Sequence, residues 1–392
     1  MNKERKLYAA LQGLVWSGFV IGSTYGTYFM QQKGISVTTI GTVTAAASLF
    51  AAILQTVFGQ MIDAGKFTWK FHLTAAAILN AIVLACMMFP LGTLGYGIML
   101  AVYLISLNTM VPVMNTACFY YAYKGIYIEF GSARAFGSLT FAFVSLLIGR
   151  LTGLFQENVV PVGGIVLMML ILMVVWMLPY YGPFEKKTGS SDEKVSSAHE
   201  SFIHKYPFFV VLLIGFVLVL TLHNVISVFL LLIIQDVGGG SQEVGIASFI
   251  SAMIELVVMF GYVWLRKRFK AEQLLLFSAV VYCIRGILYL LAGSILSIYL
   301  IQLTQAVTYA LYGSASVYYA NDVMDDSDKS RGQGLVVAAL TIAGVIGSLL
   351  GGFLCDHYGV RTMLVVFICI AAVGVVLICA ALRMQRRSKA SA

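Results

Sequence analysis

Long apolar blocks separated by short polar turns recur from one end of the chain to the other. A helix that crosses a bilayer needs roughly 20 predominantly apolar residues. Twelve blocks meet that need, at 7–30, 37–62, 71–91, 95–121, 133–156, 160–181, 207–234, 243–265, 273–293, 295–320, 332–354 and 362–383. Inside each block the apolar residues run on continuously. A membrane β-barrel would instead alternate in and out over strands of about ten residues, so the pattern excludes it. Twelve such runs also exceed what the core of a water-soluble domain contains. The pattern therefore predicts an all-α membrane protein with twelve spans.

The one long polar stretch, PFEKKTGSSDEKVSSAHESFIHK at 183–205, divides six spans from six. Its mixed charge and small residues are those of a flexible linker between two units, 1–182 and 206–392. The halves resemble each other. ACFYYAYKG (117–125) at the end of the fourth span matches ASVYYANDV (315–323) at the end of the tenth. GSLTFAFVSLLIG (137–149) of the fifth matches AALTIAGVIGSLLGG (338–352) of the eleventh. Both pairs sit six spans apart, which points to duplication and to two pseudo-symmetric six-helix bundles with a site between them. Small residues four apart, Gly18, Gly22 and Gly26 on the first span and Gly344, Ser348 and Gly352 on the eleventh, mark close helix approaches. They serve either static packing or surfaces that glide.

Composition agrees: 60% of the 392 residues are hydrophobic and 11% charged, where a soluble domain carries about 25% charged residues. Of 25 Lys and Arg, 20 fall at one set of turns and termini, including Lys3, Lys66, Lys124, Lys186, Arg266, Lys329 and Arg383; only Lys33 and Arg361 fall in turns on the other side. Basic residues stay on the cytoplasmic side, so both termini are expected in the cytoplasm and the protein in the cytoplasmic (inner) membrane. The net charge of +8 is then a topology signal, and no nucleic-acid partner is implied. The first apolar run is long enough to remain a helix rather than a cleaved signal. The six cysteines are scattered without a pair or metal spacing, so free thiols and no metal are expected.

Polar residues inside the spans carry the candidate chemistry. Glu255 sits alone in FISAMIELVVMF (249–260), mid-way along the eighth span, and Arg285 in VVYCIRGILYLL (280–291), mid-way along the ninth. Either would be expensive against lipid, so each is expected to face protein or water. They form either a static ion pair between neighbouring helices or part of a site. Arg134 begins the fifth span, where topology alone accounts for an arginine equally well. On the tenth span Gln302, Gln305, Tyr309, Tyr312, Ser316 and Tyr319 recur at steps of 3, 4, 3, 4 and 3, one helical face. The fourth span offers Asn108, Asn115, Thr116 and Tyr120, the seventh His223, Asn224 and Ser227, and the first Gln12, Trp16, Ser23 and Thr27. Spans 1, 4, 7 and 10 are thus expected to line a wet cavity suited to a hydroxyl-rich solute. The amides serve equally as glue between helices, and His223 either titrates or stays neutral.

No metalloprotease motif, nucleophile elbow or phosphate-cradling loop occurs, so neither an enzyme nor a cofactor is expected. Without a P-loop, transport must be passive or ion-coupled. A channel would show charged rings or filter loops, and a membrane sensor would carry a sizeable soluble domain.

GQMIDAGK (59–66), between spans 2 and 3, resembles the G-x-x-x-D-x-x-G loop of the major facilitator superfamily, with Gly59 and Asp63 in place and the last glycine one residue early at Gly65. IEFGSARAFGS (128–138), MIELV (253–257) and IRG (284–286) resemble the lactose permease and oligosaccharide:proton symporter branch. That resemblance implies that Arg134 and Glu255 hold the solute and that Arg285 belongs to a proton-coupling network with Glu255. The branch's helix 4 acid falls on Thr116 and its sugar-stacking tryptophan on Phe141. Its helix 8 asparagine falls on Val258, and its helix 10 Lys, His and Glu fall on Gln302, Gln305 and Thr308. The resemblance implies a monomeric secondary transporter of a small polar solute, a sugar, oligosaccharide or nucleoside, moved with a proton. An exporter or uniporter of drugs, aromatic acids or other metabolites is the alternative within the superfamily.

Overall fold

The computed structural model describes residues 3–181, 202–325 and 328–391. Most of the expected linker, 183–201, lies outside the described residues; its last part forms a helical turn, Phe202–Lys205, attached to the second half. The spans fold as helices in the expected order. Helix α1 covers 3–32, as Lys3–Phe19, a π-helical turn Val20–Thr24 and Tyr25–Gln32. Then come α2 (Val37–Asp63), α3 (Trp69–Met87), α4 (Thr93–Tyr123), α5 (Phe130–Phe155) and α6 (Val159–Met177). The second half has α7 (Pro207–Val228, continued by Leu230–Asp236), α8 (Ser241–Arg268), α9 (Ala271–Leu290) and α10 (Ile295–Val323). A helix over Lys329–Ser391 breaks at Gly359 (φ 84°) into α11 and α12.

Among the described residues ten helical stretches are long and apolar enough to cross a membrane, Arg331–Arg387 being one of them. The break at Gly359 divides that stretch into α11 and α12, and α1, interrupted by its π turn, completes the expected twelve spans. Local chemistry sets the ends. Ser36 and Thr68 accept the backbone N–H groups of Thr39 and Phe71 as N-caps of α2 and α3. Gly65 takes a left-handed conformation (φ 71°) just past α2, the usual helix-terminating role of glycine. That is where the displaced glycine of GQMIDAGK is needed. Asp63 closes α2 and accepts a hydrogen bond from Tyr120 at 3.3 Å; Gly59 faces open space.

The halves meet along two helix pairs, α2 with α11 and α5 with α8. Glycine permits both crossings. Gly41 lies against Ser348 and Gly352, and a side chain on Gly352 would meet the Val37 carbonyl at 2.7 Å. Gly149 and Gly245 face each other in the second crossing, a methyl on Gly149 falling 3.1 Å from the Gly245 Cα. By contrast, Gly18 and Gly22 of α1 pack within their own half, on Leu107 and Tyr103 of α4.

Five hydrogen bonds between the halves occur among the described residues. Tyr25 donates to Ser241 O, Thr27 to Val228 O and Thr38 to Gly352 O, and Asp356 accepts from Val37 N and Thr38 N. All lie at the end away from the termini. At the terminal end the bonds stay within one half: Trp69 to Tyr181, Tyr121 to Pro179, Tyr319 to Gln385 and Lys205 to Asp328. Among the described residues, the hydrogen bonds named here fasten the interface at its outer end.

Candidate functional site: a polar cavity between the halves

A cavity of about 250 Å³ lies between the halves, walled by α1, α5, α7, α8, α9 and α10. Its first-half wall carries Trp16, Ser23, Thr24, Arg134, Ser138 and Phe141. The π turn brings Ser23 and Thr24 to this wall; such turns recur at functional sites. The Arg134 guanidinium lies over the Trp16 ring at 3.7 Å and donates to Ser138 Oγ at 3.0 Å. Behind it, Trp16 Nε1 donates to Gln12 Oε1, and Gln12 Nε2 donates to Asn115 Oδ1 at 3.0 Å.

The second-half wall carries His223, Ser227, Ser248, Ser251, Glu255, Arg285, Gln302, Gln305 and Tyr309. Arg285 is 3% exposed. It donates to Gln305 Oε1, to Thr308 Oγ1 at 3.1 Å and to Gln302 Oε1 at 2.8 Å. The other end of the Gln305 amide, Nε2, donates to Glu255 Oε1 at 2.7 Å. An amide bridges these charges with the right polarity, its oxygen to the cation and its nitrogen to the anion. Gln305 thus stands between Arg285 and Glu255. The His223 ring stacks on Tyr309 (4.5 Å, 11°) and meets Tyr282 edge-on (5.6 Å), with its Nδ1 buried and unpartnered.

Of the residues singled out in the sequence, Arg134, Phe141, His223, Glu255, Arg285, Gln302, Gln305 and Tyr309 come together here. Four do not. Thr116 donates to Pro112 O within α4, and Asn115 supports Gln12. Asn224 accepts from Ser348 and packs against Gly347, at the α7–α11 contact. Tyr312 is buried edge-on against Phe216. The expectation that α4 lines the cavity is therefore corrected: its polar groups bond within the first half, while α5, α8 and α9 take its place. The stripe on α10 is corrected too. A 3-10 turn at Leu303–Ala306 and a non-helical Thr308 (φ −103°, ψ −96°) break its phase. Beyond the break, Tyr312 turns into the second half and Tyr319 bonds Gln385 of α12.

Residues 14–366 match the MFS_1 like family. The chain belongs to that family. Its fold is that of major facilitator transporters of known structure. The nucleoside transporter NupG superposes with a TM-score of 0.81 at 14% identity, covering 98% of this chain and 99% of that one. The POT family transporter PepTSo gives 0.76 at 11% identity, covering 99% of each chain. A bacterial homologue of the human lysosomal transporter Spinster, inward-facing and unoccupied, gives 0.72 at 13% identity, covering 98% of each. No curated protein sequence matches.

Within this family frame, two features escaped the sequence reading. Ser248, Ser251 and Glu255 follow helical spacing on one face of α8, a signal overshadowed by the lone acid. GFLCDHYG (352–359) fits G-x-x-x-D-x-x-G without displacement. Its Asp356 caps the first turn of α2 across the interface, accepting from Val37 N at 3.2 Å and Thr38 N at 2.9 Å.

Proposed function

We propose that this protein is a secondary active transporter that carries a small polar solute through the cavity by alternating access and couples it to a proton at Glu255. The chain works as two bundles, 1–182 and 206–392, joined by 183–205, in the cytoplasmic membrane and as a monomer. The observation that carries the reading is Glu255, the only acid on the cavity wall among the described residues, held mid-way along its span by an amide rather than locked in an ion pair. A carboxylate so placed can exchange a proton when solute rearranges its surroundings. Arg134 faces it from the other half, so solute bound between them touches both moving parts.

The cavity volume lies just below the usual range of about 300–1,000 Å³ for ligand sites. That favours a solute of monosaccharide or nucleoside size over an oligosaccharide. Serines, amides and the rings of Trp16, Phe141 and Tyr309 suit its hydroxyls and flat faces. The abundance of polar groups on both walls argues against a promiscuous hydrophobic exporter.

The test is uptake of labelled sugars and nucleosides into vesicles with and without an imposed pH gradient. Accumulation that follows the gradient supports symport. Equal flux without the gradient leaves a uniporter and removes the proton coupling.

A further inference from the structure

Two guanidiniums and one carboxylate face this cavity, and their partners are unequal. Arg285 is buried, with both terminal nitrogens bonded to acceptors of its own half and its Nε, away from them, without a partner. Arg134 donates only to Ser138 and otherwise rests on the Trp16 face. Among the described residues no carboxylate of the first half bonds it; Thr116 of α4 bonds its own helix. The remaining titratable groups on the wall are His223 on α7 and Tyr309 on α10, stacked on each other. No acid contacts the His223 ring, its Nδ1 being unpartnered, so the ring adds no charge that a solute must answer. Tyr282, packed against His223, is a neutral phenol. Two positive charges and one negative leave the empty site with one net positive charge.

From this we infer that the solute carries one negative charge, a carboxylate on a hydroxylated or flat body, and that Arg134 binds it. The inference rests on the transport reading and narrows its substrate. Guanidinium N–H groups arranged as a fork match a carboxylate in paired hydrogen bonds. The Trp16 ring fixes the plane of that fork from behind. A phosphate monoester, carrying about −1.5 to −2 at neutral pH, would leave the loaded site with less positive charge than the empty one. The charge count also sets the stoichiometry. The empty site holds Arg134, Arg285 and ionised Glu255. The loaded site holds the same two arginines, protonated Glu255 and the solute carboxylate. Both carry one positive charge, so the two halves rock with unchanged charge in each direction. One anion moves with one proton, and the cycle is electroneutral.

The test uses the full chain, purified and in liposomes, with D-glucuronate, D-galacturonate, their amides and the parent neutral sugars as probes. A carboxylate raises the melting temperature at concentrations at least about 10-fold below its amide or parent sugar. Arg134→Gln removes the response, a loss of roughly 100-fold in affinity, and Arg134→Lys keeps part of it. A pH gradient alone drives uptake of the bound acid, and a potassium-diffusion potential alone does not. Tighter binding of the neutral probes, or binding of no carboxylate, overturns the inference. So does uptake driven by potential alone. Gradient-driven uptake of a neutral sugar overturns it while the transport reading stands. Binding through Arg134 without any uptake leaves the assignment of a carboxylate to Arg134 standing and sinks the transport reading together with the stoichiometry.

Discussion

The two arginines of the cavity are the same side chain in opposite circumstances. Arg285 is walled in by acceptors of α10 and has become part of the second half's framework. Arg134 is stacked and aimed, with one protein acceptor. In the sequence Arg285 stands out as a charge at mid-span, whereas Arg134, at the start of a span, is singled out by the family resemblance. The acceptors around each decide its role. An arginine held by three acceptors of one neighbouring helix holds structure together, and one held by a single acceptor is free to bind.

That contrast breaks most sharply at Arg285. Arg285→Leu leaves Gln302, Gln305 and Thr308 facing a buried space without a donor, and is expected to destabilise by about 3–5 kcal/mol. Arg134→Gln is expected to stay within about 1 kcal/mol of the parent, since its loss leaves only Ser138 unpaired. Thermal unfolding of both variants in detergent checks the pair; equal losses would erase the distinction. Gln305→Leu comes next. It severs the bridge to Glu255 and one acceptor of Arg285, a loss of about 2 kcal/mol. Gln302→Leu removes one acceptor only, and its melting temperature is expected to fall about half as far.

The outer and inner ends of the interface differ in the same manner, one bonded across the halves and one not. Gly245→Val drives a side chain into Ser145 and Gly149, an overpacking expected to disfavour the closed outer end by about 1–3 kcal/mol. Faster labelling of a Ser23→Cys probe by an impermeant maleimide added outside, in a background without other cysteines, would report it. Asp356→Asn keeps a cap on α2 but removes its charge, with an expected loss of about 0.5–1 kcal/mol and a correspondingly smaller rise in labelling. The smallest effect concerns the clamp at the inner end of the second half. Lys205 bonds both Asp325 and Asp328 at 2.7 Å and draws both carboxyls below their usual range. Depressed carboxyls stabilise above their unfolded values and lose that contribution as the pH falls through the lowered ones. The clamp should therefore hold at neutral pH and loosen only in acid, detectable as amide exchange at 202–206.

Much of this was legible in the sequence for a physical reason. A bilayer demands long apolar runs, so all twelve spans could be placed. A charge inside one has few places to go, so Glu255 and Arg285 were found, while Arg134, at a span's end, rested on the family resemblance. What was missed depends on helix phase and rotation. The α10 stripe assumed one unbroken helix, and the break at 303–308 sends Tyr312 inward. Asn115 and Thr116 looked like lining because nothing in a hydropathy pattern fixes which face α4 turns to the centre. The serines of α8 and the loop GFLCDHYG were readable, yet only the geometry gave them a role.

Glu255 remains the centre of the account, and one measurement addresses it most directly. In liposomes holding the wild-type protein or Glu255→Gln, accumulation of the bound solute under an imposed pH gradient is compared with exchange of labelled for unlabelled solute at equal pH on both sides. The account predicts that the variant still exchanges but no longer accumulates. Undiminished accumulation by Glu255→Gln would contradict it.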